Sequence, residues 1–159
     1  MALSNFSWVI PGKLAGSDMP GDGSGNVGIL AEDIGFLASQ GIGMIVSLER
    51  PAGPIAEVCA DAGIIWRLFP VVDFGVPAIN SEFTAFIAAC IQSFTSGTAV
   101  CVHCRAGIGR TGLIISCILG TYLHLDGEKA VAAVREVRSA IETVEQKRFI
   151  ISFLSEYEN

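Results

Sequence analysis

Cys104 and Arg110, six positions apart in "AVCVHCRAGIGRTGLIIS" (residues 99–116), are the pair best placed to do chemistry together. Cysteine attacks as the thiolate, and a free cysteine is largely protonated near neutral pH. The apolar run before His103 and Cys104 reads as a buried strand, and the run beginning at Arg110 as a helix. A helix N-terminus offers unpaired N–H groups and partial positive charge, to which Arg110 adds a full charge. Gly107 and Gly109 let the chain curl so that successive N–H groups point inward and form an anion nest. The planar fork of Arg110 can hold two oxygens of a phosphate. Such a loop favours the ionised sulfur and binds a dianion over it.

The flanking chain alternates strands with helices. "SWVIPGKLAGS" reads as a hairpin, and the glycine-rich "GDGSGNVG" as a mobile loop that could rim the site. Val27, Leu30, Ile34 and Leu37 recur at helical spacing up to Gly41. "GMIVSLE" reads as a buried strand, "PIAEVCADAG" as a short helix, and "IIWRLFPVVD" as a second buried strand running out to Asp73. Asn80 and Ser81 can cap a helix whose apolar stripe includes Phe83, Phe86, Ile87, Cys90 and Phe94. After the Cys104 loop and its helix, Asp126 caps a helix through Val131, Val134 and Val137. A last amphipathic helix carries Gln146, Phe149, Ile150, Phe153 and Leu154. Strands separated by helices predict a single α/β domain over residues 1–159, with a central, mainly parallel twisted sheet flanked by helices. Sites in such sheets sit at the carboxyl ends of the strands, where both Cys104 and Asp73 fall.

Composition narrows the function. Hydrophobic residues make up 51% of the 159-residue chain and charged residues 16%, which excludes a disordered chain. A net charge of −6 argues against nucleic acid as a partner and against adhesion to anionic membranes. No secretory signal is visible, and the most apolar segment, residues 112–123, is too short to span a bilayer. Five cysteines, an odd number, fit a reducing, cytoplasmic setting, with Cys90 and Cys117 as core thiols. "CVHC" has redox spacing, but Cys101 falls within the strand rather than at the opening of the helix. No second cysteine pair accompanies it, and the chain has only two histidines, so no metal site is expected.

"HCRAGIGRTG" resembles the H-C-x5-R-S/T signature of the cysteine-dependent protein tyrosine phosphatase superfamily. "NFSWVIPGKLAGS", the Asp73 loop and "VREVRSAIETVEQKRFI" extend the resemblance in the same order along most of the chain. They point to the small atypical dual-specificity phosphatases and their compact archaeal relatives. The resemblance implies the dual-specificity phosphatase fold and a cofactor-free, monomeric enzyme acting on phosphorylated protein. In this reading Cys104 attacks phosphorus and forms a phosphocysteine. Phosphate is held by Arg105, Ala106, Gly107, Ile108, Gly109 and Arg110 through their N–H groups, with the Arg110 side chain as clamp. His103 orients the loop and Thr111 stabilises the departing thiolate. Asp73 matches the general acid and later base, and Gln146 a glutamine that positions water. Arg138 is expected to anchor structure, Glu142 and Glu145 to favour the N-terminus of the last helix, and His124 to lie at the surface.

Rhodanese-type sulfurtransferases carry a loop one residue shorter, and low-molecular-weight tyrosine phosphatases place their acid after the loop rather than before it. Phosphoinositide phosphatases often carry basic residues within the loop, where this chain has Arg105 but then Ile108. Phosphotyrosine, with phosphoserine and phosphothreonine beside it, is therefore the leading substrate class. A phosphoinositide or other small phosphate ester is the alternative. A non-catalytic phosphate-binding module is the rival outside enzymes, although cysteine, arginine and acid are all present.

Overall fold

The computed structural model describes residues 1–157 of the chain. It opens with the antiparallel hairpin of β1 (Ser7–Ile10) and β2 (Leu14–Ser17). Helix α1 (Val27–Ser39) starts at Asn26, whose side chain accepts from Ile29 N, and stops before Gly41 at φ +95°. Then follow β3 (Ile42–Ser47), α2 (Ile55–Asp61), β4 (Ile65–Leu68), α3 (Ser81–Thr95) and β5 (Ala99–His103). Helices α4 (Gly109–Leu123), α5 (Gly127–Arg135) and α6 (Val144–Tyr157) complete the chain. Asn80 caps α3 through Phe83 N, and Asp126 caps α5 through Lys129 N.

The sheet order is β1-β2-β5-β3-β4, with every pairing parallel except that of β1 with β2. The α/β class and mainly parallel sheet are thus as expected. β5 lies in the middle, and its register places Ser17 and Ser47 on either side of His103. The three central strands therefore end level with one another, immediately before Cys104. Side chains alternate across β5. Val100 and Val102 join an apolar cluster with α3, α4, α5 and α6, while Ala99 and Cys101 join a second with α1 and α2.

The sequence reading fails at β4. The expected buried strand to Asp73 is a four-residue edge strand, with Ile65 58% and Leu68 41% exposed. A continuous apolar run marks a doubly buried strand only where a neighbour lies on each side, and β4 pairs with β3 alone. Beyond it Phe69 N and Val71 N follow β3, donating to Ser47 O and Leu48 O, before the chain turns over the strand ends. Val137 likewise lies past the end of α5 and is exposed. The glycine-rich segment folds into side-chain turns: Asp22 Oδ1 accepts from Ser24 N, Ser24 Oγ accepts from Asn26 N, and Gly25 lies against Gly53.

Phe83 sits at the centre of the larger cluster, 1% exposed, edge-on to both Phe149 and Phe153 at 5.1 and 4.9 Å between ring centroids. It ties α3 to α6 across the same core that α4 fills. Replacing Phe83 with Ala should cost about 3–5 kcal/mol, read from the urea midpoint at constant slope. A loss below about 1 kcal/mol would mean that the helices hold together without it.

Candidate active site

Cys104, 2% exposed, lies at the mouth of β5, and its sulfur accepts hydrogen bonds from Gly107 N at 3.3 Å and Thr111 Oγ1 at 3.0 Å. Both donors stabilise negative charge on sulfur. The carbonyl oxygens of the following loop are all engaged from outside. Arg105 O accepts from Met19 N, Ala106 O from Asn5 Nδ2, Gly107 O from Arg138 Nη2, and Ile108 O from Ile141 N and Gly112 N. With its carbonyls drawn outward, the loop is left with its N–H groups for the inside. Gly107 takes φ +78°, and a Cβ there would collide with the Ser17 carbonyl, so only glycine fits.

Gly109 is needed for a different reason from the one its spacing suggests. Its φ is not positive, but a Cβ would strike the Glu142 carboxylate. Glu142 Oε1 accepts from Gly109 N at 2.9 Å, capping α4 rather than the helix on which it was expected to act. Helix α4 begins at Gly109, one residue before Arg110. Ile141, just before Glu142, sits at φ +72°, a conformation that costs a β-branched residue about 1–3 kcal/mol. The strained turn aims both Ile141 N and Glu142 at the loop.

Arg138 is 6% exposed and lies beneath the loop. Nη1 donates to Ser7 Oγ at 2.8 Å, while Nη2 donates to Asn5 O at 3.1 Å and Gly107 O at 2.7 Å. Its guanidinium lies against Gly16, where any side chain would overlap it. Burial lowers its pKa, opposed by Cys101, Cys104 and Asp18. Asn5 is in turn held by Asp18, whose carboxylate accepts from Ser4 N and Asn5 N.

His103 is fully buried, and burial lowers its pKa to about 4, so it is neutral in the ordinary range. Nδ1 lies 2.8 Å from Cys104 O, which can only accept, so Nδ1 carries the proton and Nε2 accepts from the Ser47 hydroxyl. Ser47 Oγ also accepts from Trp66 Nε1 at 2.9 Å. The chain from Trp66 through Ser47 and His103 fixes one tautomer and holds the Cys104 carbonyl.

Arg110 is 3% exposed and donates from Nη1 to Val71 O at 2.9 Å, in the segment leading to Asp73. Its Nη2 lies 3.2 Å from Asp73 Oδ1 and 3.1 Å from Glu49 Oε1. Glu49 also pairs with Arg105, whose side chain is exposed. Asp73 occupies a turn closed by Gly75 N donating to Val72 O, with Phe74 at φ +58°. Gln146 is buried. Its Oε1 accepts from Glu142 N and Thr143 N, while Nε2 lies beside Gly109 with no partner among the described residues.

The structure therefore gathers Cys104, Arg110, Thr111 and Asp73 at one strand edge, with Gln146 behind the loop. The sequence reading missed Glu49 and Asn5. Glu49 had a signal, since a charged residue directly after a buried strand stands at the carboxyl edge of the sheet. Cys101 faces the opposite side of the sheet from Cys104, near Ser17, and burial raises its pKa to about 11. Burial also raises Cys59 to about 11, Cys90 to about 12 and Cys117 well above its usual range.

One prediction follows from His103. Its folded-state pKa lies below the unfolded value of 6.5, so its contribution to stability is present above pH 6.5 and lost as pH falls toward 4. The loss should reach about 3 kcal/mol. Urea midpoints compared between pH 7 and 5 should fall less in a His103→Asn variant than in the wild type. Equal falls would remove His103 from the acid response.

Residues 3–153 match the family model described as the Swiss Army Knife protein, DSP-PTPase phosphatase domain. The chain is 30% identical over 139 residues to the dual specificity protein phosphatase CDC14AB of Danio rerio, covering 84% of this chain and 22% of that protein. The curated relatives are longer, and the chain spans about 30% or less of those it matches. Among solved structures, Tk-PTP in its active form is similar at a TM-score of 0.80 and 21% identity, covering 95% of this chain and 97% of that one. PTPMT1 in complex with PI(5)P is similar at 0.79 and 16% identity, covering 98% and 97%. With a match along nearly its whole length, the chain belongs to the DSP-PTPase family of phosphatase domains.

Proposed function

We propose that this domain is a protein phosphatase that hydrolyses phosphotyrosine, with phosphoserine and phosphothreonine as further substrates, through a phosphocysteine. The observation that carries this reading is the 3.2 Å approach of Asp73 to Arg110, at the rim of the loop that holds Cys104. Nucleophile and clamp share one loop, and the proposed acid reaches its rim from a second segment, the chain beyond β4.

In the first step the Cys104 thiolate attacks phosphorus. An S–P bond forms, the bond to the leaving oxygen breaks, and the proton of Asp73 passes to that oxygen. The loop N–H groups other than Gly109 N, which Glu142 holds, take the three remaining oxygens together with Arg110 Nε, buried and unpaired among the described residues. Arg110 Nη1 and Nη2 are braced by Val71 O, Glu49 and Asp73. In the second step water attacks phosphorus, its proton goes to the Asp73 carboxylate, and the S–P bond breaks. Thr111 Oγ1, already on the sulfur, stabilises the thiolate as it leaves. The resemblance assigns the orienting of that water to Gln146, whose Nε2 lies unpaired among the described residues behind the loop beside Gly109. No step calls for a metal or cofactor. The buried thiols fit a reducing cytoplasm, and no described helix is long and apolar enough to cross a membrane. The acidic balance argues against nucleic acid as partner, and the domain is taken to act as a monomer.

A second reading, phosphoinositide hydrolysis, draws on the likeness to PTPMT1 solved with PI(5)P. Against it, Arg105 is paired with Glu49 and Ile108 brings no further cation to the loop.

Hydrolysis of p-nitrophenyl phosphate in EDTA tests the main reading. Wild type should turn over and Cys104→Ser should not. Asp73→Asn should lose about 100- to 10,000-fold, and less with leaving groups that need no proton. Turnover surviving in Cys104→Ser would sink the mechanism, and an inert wild type would favour the binding module. For Arg138→Met, slackening of the loop should lower kcat on the order of 100-fold, with Arg138→Lys in between. Full kcat in Arg138→Met would show that the loop keeps its shape unaided.

A further inference from the structure

Six large apolar side chains stand exposed within a single short window: Ile65, Leu68, Val72, Phe74, Val76 and Ile79. They surround the outer edge of β4 and the loop that carries Asp73. Three depressions follow one another along this edge. The first, about 380 Å³, is lined by Arg110, Asp73, Pro70 and Leu68; the second, about 250 Å³, by Leu68, Phe69, Pro70 and Pro77. The third, about 450 Å³, is lined by Leu68, Phe69, Ala85, Phe86 and Ala89 of the α3 face. Leu68 borders all three and Pro70 the first two, so the depressions join into one trough leading away from the Arg110 clamp.

We propose that this trough holds the polypeptide flanking the phosphorylated residue and selects apolar side chains there. The proposal rests on the phosphatase reading above and adds the sequence class that the site prefers. Continuity comes first: one end of the trough is bordered by Arg110 and Asp73 themselves, so a phosphoresidue seated over Cys104 must send its chain past this wall or away from it. The wall also offers a backbone partner. β4 is paired with β3 on one side only, and an unpaired strand edge accepts an extended peptide through main-chain hydrogen bonds while alternate side chains enter pockets. Charge then separates a peptide from a lipid surface. Along the trough Glu49, Asp73 and Glu82 offset Arg50, Arg67 and Arg110, and Arg50 lies over the Trp66 ring at 5.2 Å. No net positive field faces an anionic membrane, whereas burial of Leu or Phe against Leu68, Pro70 and Ala85 is favourable.

The test uses two soluble phosphotyrosine peptides that differ only in the three residues on each side, apolar in one and Ser or Thr in the other. Wild type should favour the apolar peptide at least 10-fold in kcat/KM. Ala85→Asp, on the exposed far end of the trough, and Leu68→Asp should each abolish the preference, mainly through KM. Turnover of p-nitrophenyl phosphate, which reaches no farther than the phosphate loop, is measured alongside. Equal wild-type rates on the two peptides, with p-nitrophenyl phosphate still hydrolysed, would overturn the trough and leave the phosphatase reading standing. An inert wild type on all three would overturn both. Phosphatidylcholine vesicles carrying a phosphoinositide form the last arm. Faster hydrolysis there than on the apolar peptide, lost in Leu68→Asp, would assign the trough to lipid and overturn the proposal.

Discussion

The structure depends on which way the peptide groups of one short loop face. Between Arg105 and Ile108 each carbonyl is drawn outward by a donor from elsewhere, Met19, Asn5, Arg138 and Ile141 in turn, with the first turn of α4 adding Gly112 N at Ile108. In a trans peptide the C=O and N–H point opposite ways, so an outward carbonyl leaves the next residue's N–H facing inward, except at Gly109, whose N–H Glu142 takes. The chain's own donors thus shape a cradle for negative charge. Oriented dipoles that need not rearrange during reaction are what make such a site effective.

The supports reach the loop from every side. Asn5 comes from the amino-terminal segment, which Asp18 and Asp33 pin through backbone N–H groups of residues 2–5, and Met19 from just past the end of β2. Others come from the turn before α6, which takes on backbone strain at Ile141 to deliver them. The sheet sets the height of the whole assembly by ending β2, β5 and β3 in register, and the buried His103 relay ties that level to the Cys104 carbonyl. Local regularity and long-range bracing thus act on the same few atoms.

This division explains what was legible in the sequence. The stretch from Cys104 to Thr111 could be read because its chemistry is local: spacing, glycines and the start of a helix lie within eight residues. The alternation of strands and helices gave the parallel sheet for the same reason. Asp73 was found from its place past a strand, although that strand is an exposed edge rather than a buried one. Apolar content reports that a side chain wants cover, not whether the fold supplies it. The Asn5 contact to Ala106 crosses 101 positions and the Arg138 contact to Ser7 crosses 131, and no periodicity encodes such a pairing. Glu142 was misassigned because a carboxylate just ahead of a helix usually serves that helix, whereas here the chain doubles back and caps another.

Gly16 has a consequence beyond its strand. The space left by its missing side chain is filled by the Arg138 guanidinium, so the two positions share one volume despite being far apart in sequence. Neither can drift independently. A larger residue at 16 evicts the cation, and with it the grip on Gly107, while a smaller residue at 138 opens a buried polar hollow. Among descendants of this fold the pair should therefore be inherited jointly, as a lock and its key, and a lineage that altered one would have to rebuild the floor of its phosphate cradle by other means.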